Sequence, residues 1–166
     1  YVAVLTASNL QNGRLVTSNV TYVPAGKVSA KQHVRQNDVV ICASSGSLSV
    51  VGKAAQSDGR FEGGFGAFLK VLRPGPEVDP RYFAHYFQTH TYRRTVSSLA
   101  AGANINNLKN EHLNELVFPL PFLPEQRRIA AILDHADALR AKRRQALAHL
   151  DSLTQSIFTE MFASGS

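Results

Sequence analysis

The chain has a single cysteine, Cys42, in 166 residues. A disulfide framework within it is excluded, and a metal cluster would have to rest on other ligand types. The lone thiol fits a reducing compartment, and a cytoplasmic setting is expected. No stretch approaches the roughly 18–20 consecutive apolar residues of a membrane-spanning helix, so no membrane partner is expected. The N-terminus opens on Tyr1-Val2-Ala3-Val4-Leu5. No positively charged leader precedes an apolar core there, so no signal peptide is expected. There is no initiator Met either, as expected of a piece of a longer chain.

Catalytic signatures are also missing. There is no Asn-Pro-Pro-aromatic run. Gly63-Gly64-Phe65-Gly66 matches neither the phosphate-binding loop nor the dinucleotide fingerprint. Asp38, Asp58 and Glu62 fall in loops, where acids commonly serve turns and caps, and no Lys completes a nuclease core with them. His33, His85, His90, His112, His135 and His149 show no metal-ligand spacing with carboxylates. No catalytic residue, metal or cofactor is therefore expected, and a binding role takes precedence over an enzymatic one.

The chain does carry an excess of positive charge. Lys and Arg number 18 against 12 Asp and Glu, a net of +6. Residues 1–119 hold 12 basic and 7 acidic residues; residues 120–166 hold 6 and 5. The excess sits on the first part and forms no tail. A basic domain of this kind points to a polyanionic partner such as nucleic acid.

From residue 1 to about 75 the pattern is strands and turns. Val2–Leu5, Leu15-Val16, Val20–Val23, Val39–Ile41, Val50-Val51 and Phe68–Leu72 are β-branched or apolar runs. Asn12-Gly13 and Asp58-Gly59 read as hairpin turns, whose central residues need positive φ. Asp79-Pro80 predicts a helix start, with Asp as N-cap and Pro at the first position, running to about Leu99. Tyr82, Phe83, Tyr86 and Phe87 then fall on one face, expected to be buried. Ala100–Asn104 breaks the helix, and Leu116-Val117-Phe118 reads as a short strand ended by Pro119 and Pro121.

The last region differs in kind. Pro124 to about Phe162 contains no internal Gly or Pro. Ile129, Ala136, Arg143, Leu150 and Ile157 recur every seven residues. Ile132, Leu139, Ala146 and Leu153 fill the second heptad position, and Leu133, Leu147 and Met161 widen the stripe. The pattern predicts a helix of about 39 residues, about 58 Å long. Such a stripe needs a partner helix. Arg143 at a core position would then set register or antiparallel orientation. The fold class expected is α+β: a mixed, β-rich domain over residues 1–121, then one long helix over 122–166.

The junction is the most specific feature. Leu116-Val117-Phe118-Pro119-Leu120-Pro121-Phe122-Leu123-Pro124-Glu125-Gln126-Arg127-Arg128-Ile129-Ala130-Ala131-Ile132-Leu133-Asp134 resembles the signature of type I restriction-modification specificity subunits. Asn37-Asp38-Val39-Val40-Ile41 resembles the family's Gly-Asp-Val-Leu-Ile strand, with Asn37 in place of Gly. Asp79-Pro80-Arg81-Tyr82-Phe83 is similar to its Pro-x-Tyr-Leu helix start, and Gly102–Leu108 to its Gly/Asn loop.

The resemblance implies a target-recognition domain with a spacer helix that pairs antiparallel and sets the gap between two DNA half-sites. A full subunit of that family has two of each, so this chain corresponds to half of one. The implied partners are double-stranded DNA, methyltransferase and restriction subunits, and a second copy or another half-subunit. Helix pairing would use Ile129, Ile132, Leu133, Ala136, Leu139, Arg143, Leu147, Leu150, Leu153 and Ile157.

A DNA reader needs polar groups for base edges and cations for phosphates. Ser44, Ser45 and Ser47 flank a Gly turn. Asn104, Asn106 and Asn107 would reach an adenine edge or, alternatively, cap the turn over residues 108–113. Lys27, Lys31, Arg35, Lys53, Arg60, Arg93, Arg94 and Lys109 are phosphate candidates or ordinary solvated charges. Two functions stay open: a sequence-specific DNA reader, or a dimerising module that modulates a restriction-modification complex without binding DNA strongly.

Overall fold

The computed structural model describes residues 1–102 and 107–163. The strands are β1 (Val2–Leu5), β2 (Leu10–Gln11), β3 (Gly13–Leu15), β4 (Thr21–Val23), β5 (Val39–Cys42), β6 (Ala54–Gln56), β7 (Gly64–Phe65) and β8 (Leu69–Leu72). The helices are α1 (Pro80–Tyr86), α2 (His90–Gly102), α3 (Asn110–Asn114) and α4 (Leu123–Ala163). The chain divides into two units, Tyr1–Arg127 and Arg128–Ser166.

β5 organises the first unit. All four of its residues are buried. It pairs antiparallel with β6 and with β8, in a five-stranded sheet ordered β2-β3-β6-β5-β8. Side chains alternate across a strand. Val39 and Ile41 enter one core with Val51, Phe87, Tyr92, Val96 and Leu108. Val40 and Cys42 enter the other with Leu5, Leu10, Val34, Ala55 and Leu69. Burial on both faces is why this strand reads as an unbroken apolar run. A three-stranded sheet, ordered β4-β1-β7, pairs β1 antiparallel with β4 and parallel with β7.

Local chemistry explains most of the element boundaries. Asn12 and Gly13 have φ of 50° and 76°, and they close the β2–β3 hairpin between Gln11 and Arg14. Asn37 has φ of 69°, a left-handed conformation that Asn tolerates better than most residues. The Asp79 carboxylate accepts from the backbone N–H groups of Arg81 and Tyr82, both at 3.0 Å, with Pro80 opening α1. The aromatic stripe is a packed cluster in which Phe87 is buried and Tyr82, Phe83 and Tyr86 are half-buried. Phe83 meets Phe87 edge-on at 4.9 Å, and Phe118 packs against Tyr82, Phe83 and Tyr86.

Four local expectations are corrected. Val50-Val51 lies in a turn, held by bonds from the Val50 and Val51 N–H groups to the Ser47 carbonyl, and the strand is β6 instead. Asp58-Gly59 joins β6 to β7, which lie in different sheets, so it closes no hairpin. The helix from Pro80 is interrupted. The Thr89 hydroxyl donates to the Tyr86 carbonyl at 2.7 Å and accepts from the Tyr92 N–H at 3.2 Å, which starts a second helix. Leu116-Val117-Phe118 joins no ladder. Tyrosine hydroxyls bind this segment instead: Tyr86 donates to the Val117 carbonyl and Tyr82 to that of Pro119.

The second unit consists of α4 residues. The helix runs 41 residues, about 62 Å at 1.5 Å per residue. Leu139, Leu147, Leu150, Leu153 and Ile157 are each more than half exposed. Among the described residues, no helix is long and apolar enough to cross a membrane.

Candidate nucleic-acid interface

Three segments meet where β5 ends. The N–H groups of Ala43 and Ser44 both donate to the Phe68 carbonyl, at 2.8 and 3.1 Å. The Leu108 N–H donates to the Ala43 carbonyl at 2.6 Å, and Ser44 pairs with Asn107 as an isolated bridge. The chain therefore leaves the sheet at Ser45 on a braced base. The loop beyond it is exposed from Gly46 to Ser49. Ser45 Oγ accepts from the Ser47 N–H at 3.2 Å, and the Ser47 and Ser49 hydroxyls share a bond of 2.9 Å.

Helix α2 fixes the return of that loop. Arg93 donates from Nη1 to the Val51 carbonyl at 3.0 Å and from Nη2 to that of Ser49 at 3.2 Å. The buried Tyr92 hydroxyl donates to the Gly52 carbonyl at 2.9 Å, and burial pushes its pKa well up. Beside the loop lies a cleft of about 480 Å³ lined by Leu5, Thr6, Ser8, Ser44, Gly66 and Phe68. Phe68 and Leu48 are 67% and 53% exposed. Such a surface offers hydroxyls and small apolar groups together, a combination that suits base edges and thymine methyls.

The opposite end of the sheet, where β5 begins at Val39, is built differently. The fully buried Asp38 carboxylate takes Arg73 bidentately, at 2.6 and 2.7 Å, and also accepts from the Arg35 N–H at 2.8 Å. The bond to Asp38 holds the Arg73 proton more firmly than usual. Asp38 is thereby committed to structure. Asp58 is exposed and pairs with Arg60 at 3.5 Å.

The sequence-predicted residues consequently do not form one cluster. Ser44, Ser45, Ser47, Lys53, Arg93, Asn107 and Lys109 lie at the Cys42 end, where Lys53 O accepts from the Cys42 N–H. Arg94 follows on α2 and is exposed. Arg35 and Arg60 lie toward the Val39 end. Lys27 and Lys31 stand on single turns, Ala25–Lys27 and Ala30–Gln32. Asn104 and Asn106 fall outside the described residues. Sequence reasoning missed Phe68 as an exposed rim residue, having placed it inside a strand. It also missed Lys70, whose ammonium donates to Asn110. Among the described residues, no group of His, Cys, Asp and Glu is placed to hold a metal ion.

The junction motif has a structural role. Gln126, buried in the first turn of α4, accepts from the Asp79 N–H at 2.8 Å and donates to the carbonyls of Glu77 at 3.1 Å and Pro121 at 2.8 Å. One amide thus ties the start of α4 to the approach of α1 and to the Pro-rich segment.

Comparison with known proteins agrees with this architecture. The chain is 40% identical over 161 residues to the type I restriction enzyme StySPI specificity subunit of Salmonella potsdam, covering 95% of this chain and 35% of that one. It is 39% identical over 161 residues to the EcoKI specificity subunit of Escherichia coli K12, with the same coverage. The chain thus spans about a third of the length of these relatives. The fold is shared with the HsdS subunit from Thermoanaerobacter tengcongensis, at a TM-score of 0.63 and 19% identity over 96% of this chain and 42% of that one. It is also shared with a chain from a structural study of type I R-M complex assembly and conformational transition, at a TM-score of 0.71 and 20% identity over 94% of this chain and 36% of that one. The family model of the type I restriction modification DNA specificity domain matches residues 1–149, and the chain belongs to that family.

Proposed function

We propose that this chain reads DNA sequence as half of a type I specificity subunit, directing methyltransferase and restriction subunits to a split double-stranded target. Residues 1–121 are the recognition domain in this reading, and 122–166 the pairing helix. No catalytic step is assigned to it, and the setting is cytoplasmic. The family match over residues 1–149 carries the proposal. The test is binding to random-sequence duplex DNA across a salt series, with and without methyltransferase subunits. Affinity should fall steeply with salt, because each phosphate neutralised releases counterions. No binding even with those subunits present overturns the reading.

The exposed apolar row of α4 favours a second element, pairing with another copy or another half-subunit. Substituting Leu150→Asp together with Ile157→Asp places charge in that row. The variant should have the monomer mass by light scattering, against a larger mass for the unaltered chain. Equal masses would remove pairing through this face. A chain that pairs but fails to bind DNA would instead act as a dimerising module that modulates a restriction-modification complex.

A further inference from the structure

Charge is distributed unequally between the two ends of the five-stranded sheet. Of the acidic residues in 1–119, Asp38, Asp58, Glu62, Glu77 and Asp79 all lie at the Val39 end. Asp38 precedes β5, and Asp58 follows β6, whose Gln56 is opposite Val39. Glu62 shares a surface hollow with Val34, Gln36 and Gly59. Glu77 and Asp79 lie beyond the end of β8 and lead into Pro80, whose carbonyl accepts from Gln56. The cations there number the same: Arg14 opposite Gln56, Arg35, Arg60, Arg73 and Arg81. That end is neutral overall, and two of its arginines, Arg60 and Arg73, are already paired with carboxylates.

The Cys42 end is different. Lys53, Lys70, Arg93, Arg94 and Lys109 gather there. The segments 43–53, 66–70, 90–102 and 107–110 contain no acidic residue, and Glu111 and Glu115 of α3 are the first to follow. The remaining cations, Lys27 and Lys31, stand on the turns preceding the bridge of His33 to Gly64. Counting Glu111 and Glu115 against its five cations, the Cys42 end still carries a net of +3, where the Val39 end carries none. Long-range attraction of a polyanion follows summed charge, so duplex DNA approaches the Cys42 end preferentially.

We infer that the Cys42 end of the sheet is the DNA-facing surface, with the Ser44–Ser49 loop and Phe68 at its centre and Lys53 and Lys109 as phosphate contacts. The inference rests on the DNA reading above and adds a side and an orientation to it. Lys53 and Lys109 flank the loop on separate segments, one after it in sequence and one across the Ser44–Asn107 bridge. Cations on two sides position the backbone, while the serine hydroxyls and Asn107 between them face base edges. Arg93 braces the loop through its two carbonyls and is a positioning residue.

Two charge-reversal pairs separate the ends with equal change in net charge: Lys53→Glu with Lys109→Glu, and Arg35→Glu with Arg60→Glu. All four side chains are exposed, and thermal melting checks that each variant folds. The probe is random-sequence duplex DNA, with methyltransferase subunits present. The lysine pair should weaken binding roughly tenfold or more and make the salt dependence shallower by about two contacts. The arginine pair should weaken it far less and leave the slope unchanged. Equal losses for both pairs, or a larger loss for the arginine pair, overturn the assignment while leaving DNA binding intact. Failure of the unaltered protein to bind overturns the DNA reading itself, and the assignment with it.

Discussion

The two units use the same apolar residue types in opposite ways. In the first, Leu5, Ile41 and Leu108 are fully buried, and polar groups that are buried with them are bonded. In the second, Leu139, Leu150, Leu153 and Ile157 repeat at heptad spacing and remain more than half exposed. The first unit buries two apolar cores and leaves single large apolar residues such as Leu48 and Phe68 exposed. The second displays an apolar row that stays exposed along α4. In the proposed reading, recognition belongs to the first unit and pairing to the second.

The sharpest way to break this comparison is to make one change in both places. Leu5→Ala removes a side chain with no exposure and should cost about 2–5 kcal/mol of unfolding free energy, from lost transfer energy and the cavity left behind. Leu153→Ala removes the same atoms from a site 55% exposed and should cost no more than about 0.5 kcal/mol in dilute solution. Chemical denaturation of each variant at low protein concentration reads the difference. A large cost at Leu153 under those conditions would mean that its row is already covered.

A smaller effect is expected at the junction. Gln126→Ala leaves the Asp79 N–H and the Glu77 and Pro121 carbonyls without the partner they share. Leaving buried polar groups unsatisfied costs about 1–3 kcal/mol. Gln126→Glu keeps an acceptor for Asp79 but sets a buried carboxylate oxygen against the Glu77 and Pro121 carbonyls, so it should cost at least as much as the Ala variant. Hydrogen exchange should locate the loss at residues 77–82 and the first turn of α4. Exchange unchanged there would show that the amide does not hold the junction.

How much of this was legible in the sequence follows from what each residue depends on. The Asn12-Gly13 hairpin, the Asp79-Pro80 start and the uninterrupted α4 are set by neighbours in the chain, and all three stand at the expected places. β5 was legible because burial on both faces leaves an unbroken apolar run. β6 was not: Ala54-Ala55-Gln56 is weak in β-propensity and becomes a strand only because β5 and β3 flank it. The break between α1 and α2 hangs on one Thr89 hydroxyl. The candidate surface was legible as residue types but not as a place. The separation of Arg35 and Arg60 from Ser44 and Lys53 exists only once β5 gives the sheet two ends. Gln126 shows the same limit, since the motif marks its position and only tertiary structure supplies its three partners.

The smallest expected effect also divides the two units. The first holds two buried neutral acids, the Cys42 thiol and the Tyr92 hydroxyl, and burial pushes both pKa values up. Residues 128–166 contain neither Cys nor Tyr. A raised pKa in the folded state means that the native form holds its proton more tightly than the unfolded chain. The associated stability is fully present below the unfolded value and is lost as pH rises toward the folded one. Unfolding free energy of the first unit should therefore decline above about pH 8.5, where an unfolded thiol ionises, and continue to fall as unfolded tyrosines follow near pH 10. Cys42→Ala should remove the earlier part of the decline and Tyr92→Phe the later part. The Tyr92 variant also loses the bond to the Gly52 carbonyl, so its curve should start lower at neutral pH and flatten at high pH. Denaturation midpoints at stepped pH read both slopes. Parallel curves for the three proteins would assign the alkaline loss to net charge across the whole chain, not to these two protons.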